Sequence, residues 1–180
     1  MASGAALPIQ TARTYEQYRN ELIAGGITLP ALVVSLLTGV YSTTEAFYAP
    51  HRFEPARWAY FLQTLTPLIT CWLCRGRLRQ RAQLVLLGGD LIYTQAMLVI
   101  ALQPTTDISG AALAIAVKLM ATAVFFPWQP RLQYISASAT IFGYWLVLYP
   151  GGRVGGADHA LFQTLAPCIA ALLSAAGATG

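Results

Sequence analysis

Arg75-Gly76-Arg77-Leu78-Arg79-Gln80-Arg81 holds four of the eleven Lys and Arg residues of the chain. An apolar run lies on each side of it, Trp58 to Leu73 before and Ala82 to Leu102 after. A tight arginine cluster between two membrane-length apolar runs reads as a cytoplasmic loop, because moving those charges across a bilayer is unfavourable. Fixing this loop inside orients every other segment.

The chain is 180 residues long, 56% hydrophobic and 10% charged. Soluble domains carry roughly 25% charged residues. A chain this apolar cannot cover itself with polar surface in water. The expectation is an all-α, polytopic membrane protein: a six-helix transmembrane bundle with a short interfacial helix at its N-terminus. The net charge of +4 is sorted by loop and not by face. It therefore points to topology and contact with an anionic lipid bilayer, and not to nucleic acid.

Residues 1–26 form the cytoplasmic N-terminal segment. They carry Arg13, Arg19, Glu16 and Glu21 and have no early apolar core, so they do not read as a signal peptide. Thr11 to Ala24 reads as a short amphipathic helix with Tyr15, Tyr18 and Leu22 on one face, either lying at the membrane surface or forming a polar extension of the first spanning helix.

The membrane domain occupies 27–177. Its spans are expected at Ile27 to Tyr48, Ala56 to Cys74, Ala82 to Leu102, Ile108 to Phe126, Leu132 to Tyr149 and His159 to Ala176. Ala49 to Pro55 is read as a short loop, Gln103 to Asp107 and Pro127 to Arg131 as turns, and Pro150 to Gly156 as a flexible loop. With the arginine loop inside, both termini are inside. The inner segments then hold seven arginines (Arg13, Arg19, Arg75, Arg77, Arg79, Arg81, Arg131) and the outer segments three (Arg52, Arg57, Arg153). That bias agrees with one topology in a bacterial inner membrane. The last span ends in Ala-Gly-Ala-Thr-Gly with no basic anchor. The expectation is a longer chain in which any catalytic domain follows Gly180.

Asp90 and Lys118 are the ionisable residues deepest within spans. Each is about eight residues from the inner end of its helix, ~12 Å at the rise of an α-helix. A lone charge at that depth costs at least ~2.5 kcal/mol, and a pair much less. The two are expected to form an intramembrane ion pair, direct or water-bridged, as a functional group; the alternatives are a structural clip between two helices or a Lys118 that snorkels inward.

Gln63, Tyr93, Gln95, Phe125, Tyr144, Trp145 and Gln163 are candidates to line a mostly apolar pocket with a few polar anchors. Thr94, Thr122, Ser136, Ser138, Thr140 and Thr164 are further polar residues within spans. Gln63-Thr64-Leu65-Thr66-Pro67 recurs as Gln163-Thr164-Leu165-Ala166-Pro167, both in helices running inward, where each proline removes a backbone hydrogen bond. Small faces at Ser35 and Gly39, and at Ala166, Ala170 and Ser174, suit close helix approach and a homodimer.

Cys71 and Cys74 form a lone CxxC without a second ligand pair, and read as small packing residues. His51 and His159 lie at outer ends of spans. No metal site, cofactor or catalytic set is expected: there is no phosphate-binding glycine loop, and Gly151 to Gly156 does not join a strand to a helix.

The six spans, the amphipathic lead-in, the arginine loop after span two and the Trp128 to Arg131 turn carry a resemblance over nearly the whole chain. It resembles the N-terminal six-helix membrane input domain of bacterial histidine kinases that detect hydrophobic autoinducers. Related domains precede class III nucleotide cyclases. The resemblance implies a receptor that binds a small hydrophobic signal and passes a shift to a cytoplasmic kinase or cyclase domain. Span four departs from the family in being Ala-rich and carrying Lys118, so no ligand residue is transferred. The competing readings are an accessory subunit of a larger membrane complex and a small carrier using Asp90 and Lys118.

Overall fold

A computed structural model describes residues 6–103, 108–126 and 128–148. They are all-α: α1 Ala6–Gly26, α2 Thr28–Tyr48, α3 Pro50–Arg75, α4 Ala82–Ala101, α5 Ile108–Phe125 and α6 Pro130–Leu148. A single 3-10 turn, Arg79–Arg81, leads into α4. The expected sixth span at 159–176, with Gln163, lies outside the described residues.

α1 and α2 are almost one helix. The bonds Ile27 N–H to Ile23 C=O (2.9 Å) and Ala31 N–H to Ile27 C=O (3.0 Å) carry the backbone across Ile27. The two parts nevertheless meet at 47°. Pro30 explains the bend. It has no N–H for the Gly26 carbonyl four residues back, and its ring crowds that carbonyl.

The sequence reading of Ala49 to Pro55 as a loop is corrected. α3 begins at Pro50, and Ala49 alone, at φ −140° and ψ 57°, makes the reversal from α2. Proline at the first helical position loses only an N–H that has no intrahelical partner there, so it starts the helix instead of breaking it.

α2 packs along α3, α3 along α4, and α4 along α6, while α5 meets both α4 and α6. Leu98, Ile115, Leu119 and Tyr144 fill the core between α4, α5 and α6. At the other side Ala56, Ala59 and Tyr60 of α3 pack on Ala96 and Ile100 of α4. Two glycines set the spacing of α3 against its neighbours. A Cβ on Gly39 of α2 would reach Thr64 at 3.5 Å, an ordinary contact, whereas one on Gly89 of α4 would overlap the Thr70 hydroxyl.

α1 closes one end of the bundle. Its Asn20 amide donates to the Gln80 carbonyl (2.8 Å) and accepts from the Gln83 N–H (3.0 Å). Arg19 donates to the Trp128 carbonyl at 2.7 Å, and the Gln129 amide donates to Glu16 at 2.7 Å. Gln83 in turn accepts from the Gln129 N–H at 2.9 Å. The three segments assigned to the inner side by their arginines therefore meet at one end. Ile23 and Ile27 seal that end against Cys74, Leu86 and Trp128. α1 turns Arg19 and Asn20 toward the protein together with Ile23 and Ala24, while Tyr15, Tyr18 and Leu22 stay exposed.

By length and mean hydropathy, one helix among the described residues, Arg79–Ala101, is long and apolar enough to cross a membrane. The bent pair Tyr15–Gly26 and Thr28–Tyr48 passes the same measure as a unit. α3 is long enough but includes the polar turn after Pro50 and devotes Gln63, Thr66 and Thr70 to its buried side.

Candidate functional site: a buried polar cluster on α4, α5 and α6

Asp90 and Lys118 meet. The Lys118 ammonium is 2.8 Å from Asp90 Oδ2, with 8% and 7% of the two side chains exposed. Asp90 sits in the middle of α4, one residue after Gly89, and Lys118 in the apolar middle of α5.

α6 completes the cluster with two hydroxyls. Ser136 and Thr140 are four residues apart and so share one face of the helix. Ser136 donates to Asp90 Oδ2 at 2.5 Å. Thr140 accepts from Lys118 at 3.0 Å and donates to the Ser136 carbonyl at 2.7 Å. Ser136 Oγ is also 3.5 Å from Lys118 Nζ. Both hydroxyls are fully buried. One carboxylate oxygen thus receives two charge-assisted bonds, and one ammonium spans two helices. Such bonds are about twice as strong as neutral ones, and in a low-dielectric interior they stiffen whatever they join.

Thr94, one turn further along α4, donates to the Asp90 carbonyl at 2.7 Å and keeps its own hydroxyl satisfied. Tyr93 meets the Gln63 side chain of α3. The Gln63 Oε1 is buried and has no hydrogen-bond partner among the described residues. Gln63 and Tyr93 thus carry the polar seam from α4 toward α3.

The other pocket candidates are dispersed. Tyr144 is buried in the α4–α5–α6 core, 2% exposed, and its hydroxyl has no partner among the described residues. Gln95, Phe125 and Trp145 lie on exposed faces. Cys74 is fully buried with its thiol 3.5 Å from the Ala82 carbonyl, and Cys71 lies 3.9 Å from the Thr28 hydroxyl. His51 is exposed; His159 is outside the described residues. Among the described residues no three of His, Cys, Asp and Glu gather closely enough to hold a metal ion.

Ser136 and Thr140 appear in the sequence only as two polar residues among several. Their spacing of four was the available signal, since it puts both on one face of α6. What the sequence lacked was the rotation of α6 that turns this face toward Lys118.

No known family model matches the chain, and no curated protein and no solved structure matches it either.

Proposed function

We propose that the chain is a membrane-embedded input domain that binds a small hydrophobic signal and passes a change in helix packing to a cytoplasmic kinase or cyclase domain. In this reading the helices cross a bacterial inner membrane six times with both termini inside.

The bilayer part is supported by an inside-out distribution of polarity. Ser35, Thr38, Gln63, Thr66, Thr70, Thr94, Gln133, Ser136 and Thr140 are buried, whereas Leu29, Leu36, Trp72, Leu113 and Phe142 are 60–72% exposed. Water-soluble monomers rarely expose contiguous apolar faces on this scale. The hydroxyls of α2 follow the same logic. Thr38, Ser42, Thr43 and Thr44 each bond to the carbonyl four residues back in their own helix, at 2.6–2.9 Å. Lipid offers a hydroxyl no partner, so the helix backbone must supply one.

The observation that carries the signalling part is the Asp90–Lys118–Ser136–Thr140 cluster. It joins three helices, and α4 starts directly from the arginine turn held by α1. A ligand that favours one packing of α4, α5 and α6 over another would shift that turn, provided it binds the two packings unequally. The test joins residues 1–180 to a reporter cyclase domain and screens medium-chain apolar compounds. Expected is an output that responds to at least one compound and is lost in Lys118→Met. Unaltered output across the screen, with the chain in the membrane, counts against the reading.

A second reading, a small carrier, is favoured by the burial of the ion pair, since intramembrane charges often mark ion or proton paths. Proton-coupled uptake by vesicles that disappears in Asp90→Asn would select it.

A further inference from the structure

We infer that the inner end of the α2–α3 seam is a binding site for one anionic phospholipid. This rests on the bilayer reading above. A groove of about 460 Å³ opens there between α2 and α3. Its walls are apolar: Ala31 and Leu32 on α2, Leu68 and Trp72 on α3. Leu32 and Trp72 are 54% and 69% exposed, so the groove faces outward from the bundle and not into its core.

The groove ends at a cation. Arg75 lines it and is pinned by a bond from Nη1 to the Thr28 hydroxyl at 2.9 Å. A guanidinium has five N–H donors in a fixed fork that matches phosphate, so most of them remain for a ligand. Arg75, Arg77, Arg79 and Arg81 are all exposed, and among the described residues none of the four is within ion-pair distance of a carboxylate. One guanidinium at the mouth of an apolar groove, with three more exposed arginines in the six residues that follow it, suits an occupant with a negative head and an apolar body. An uncharged apolar signal would fill the walls and leave the arginines unused. A phospholipid phosphate on Arg75, with an acyl chain along Leu32 and Leu68, uses both.

The test reconstitutes the full chain in nanodiscs of equal phosphatidylglycerol and phosphatidylcholine, exchanges it into neutral detergent, and measures the lipid retained by mass spectrometry. Wild type should retain phosphatidylglycerol in preference. Arg75→Gln should lower that preference about fivefold, the contribution of one basic residue at an anionic surface. Arg57→Gln, an exposed arginine at the opposite end of α3, should leave it unchanged. Leu32→Trp, which fills the groove, should reduce retention of both lipids. Equal retention of the two lipids by an incorporated wild-type chain, or equal losses in Arg75→Gln and Arg57→Gln, overturns the site and leaves the bilayer reading intact. A chain that stays dispersed without detergent or lipid overturns both.

Discussion

The Lys118 ammonium lies 2.8 Å from Asp90 Oδ2 and 3.0 Å from Thr140 Oγ1, so a single side chain of α5 ties α4 to α6. Removing either charge strands the other in an apolar interior, whereas removing both leaves only a small void and two hydroxyls. Asp90→Ala or Lys118→Ala alone should destabilise the fold by about 3–5 kcal/mol, and the double variant by clearly less than the sum. Thermal or denaturant unfolding of the four proteins in one detergent measures the cycle. Additive losses would mean that the two groups do not act together.

Ser136 is the weaker support. Its hydroxyl gives Asp90 one charge-assisted bond, so Ser136→Ala should cost about 1.5–3 kcal/mol. Ser138, two residues on and exposed, should tolerate alanine within about 0.5 kcal/mol. Equal losses at the two serines would contradict the rotation of α6.

α3 and α4 approach closely where Gly89 faces Thr70. An added Cβ would overlap the Thr70 hydroxyl and come within 3.0 Å of Thr70 Cγ2 and Cβ. Gly89→Ala should therefore cost about 1–3 kcal/mol by overpacking. Thr70→Ala in the same chain removes the two nearest atoms and should recover part of the loss. Gly143→Ala meets only the end of the flexible Leu98 side chain and should be milder.

The ion pair was legible because charge in an apolar helix is rare, and because rise per residue placed both groups at one depth. The described helices α2 and α4 to α6 were legible from apolar runs between arginines and prolines. Two features were not. Ala49 to Pro55 has the composition of a loop, yet Pro50 is better suited to start a helix than to interrupt one. The pocket candidates were chosen by residue type, and type does not fix which way a helix is turned. Phe125 and Trp145 face outward for that reason, while Tyr144, next to Trp145 in sequence, is in the core.

The clasp of α1 gives a local prediction. Asn20 is 8% exposed and serves both the Gln80 carbonyl and the Gln83 N–H. Asn20→Ala leaves the buried Gln83 N–H without its partner and frees the Gln80 carbonyl, at a cost of about 1–3 kcal/mol. Hydrogen exchange should quicken at residues 79–83 and at Gln129, and stay slow along the middle of α4. Uniform exchange across α4 would mean that α1 does not hold this end.

Cysteine accessibility across the intact membrane tests the account most directly. Single cysteines at 36, 54, 77 and 142 are introduced into a chain with its own three cysteines replaced by alanine, and labelled with an impermeant maleimide. On the proposed topology position 77 should react only from the cytoplasmic side and position 54 only from outside, while the exposed positions 36 and 142 should be covered by lipid and react from neither. Labelling of position 77 from outside, or of position 142 from water, would contradict it.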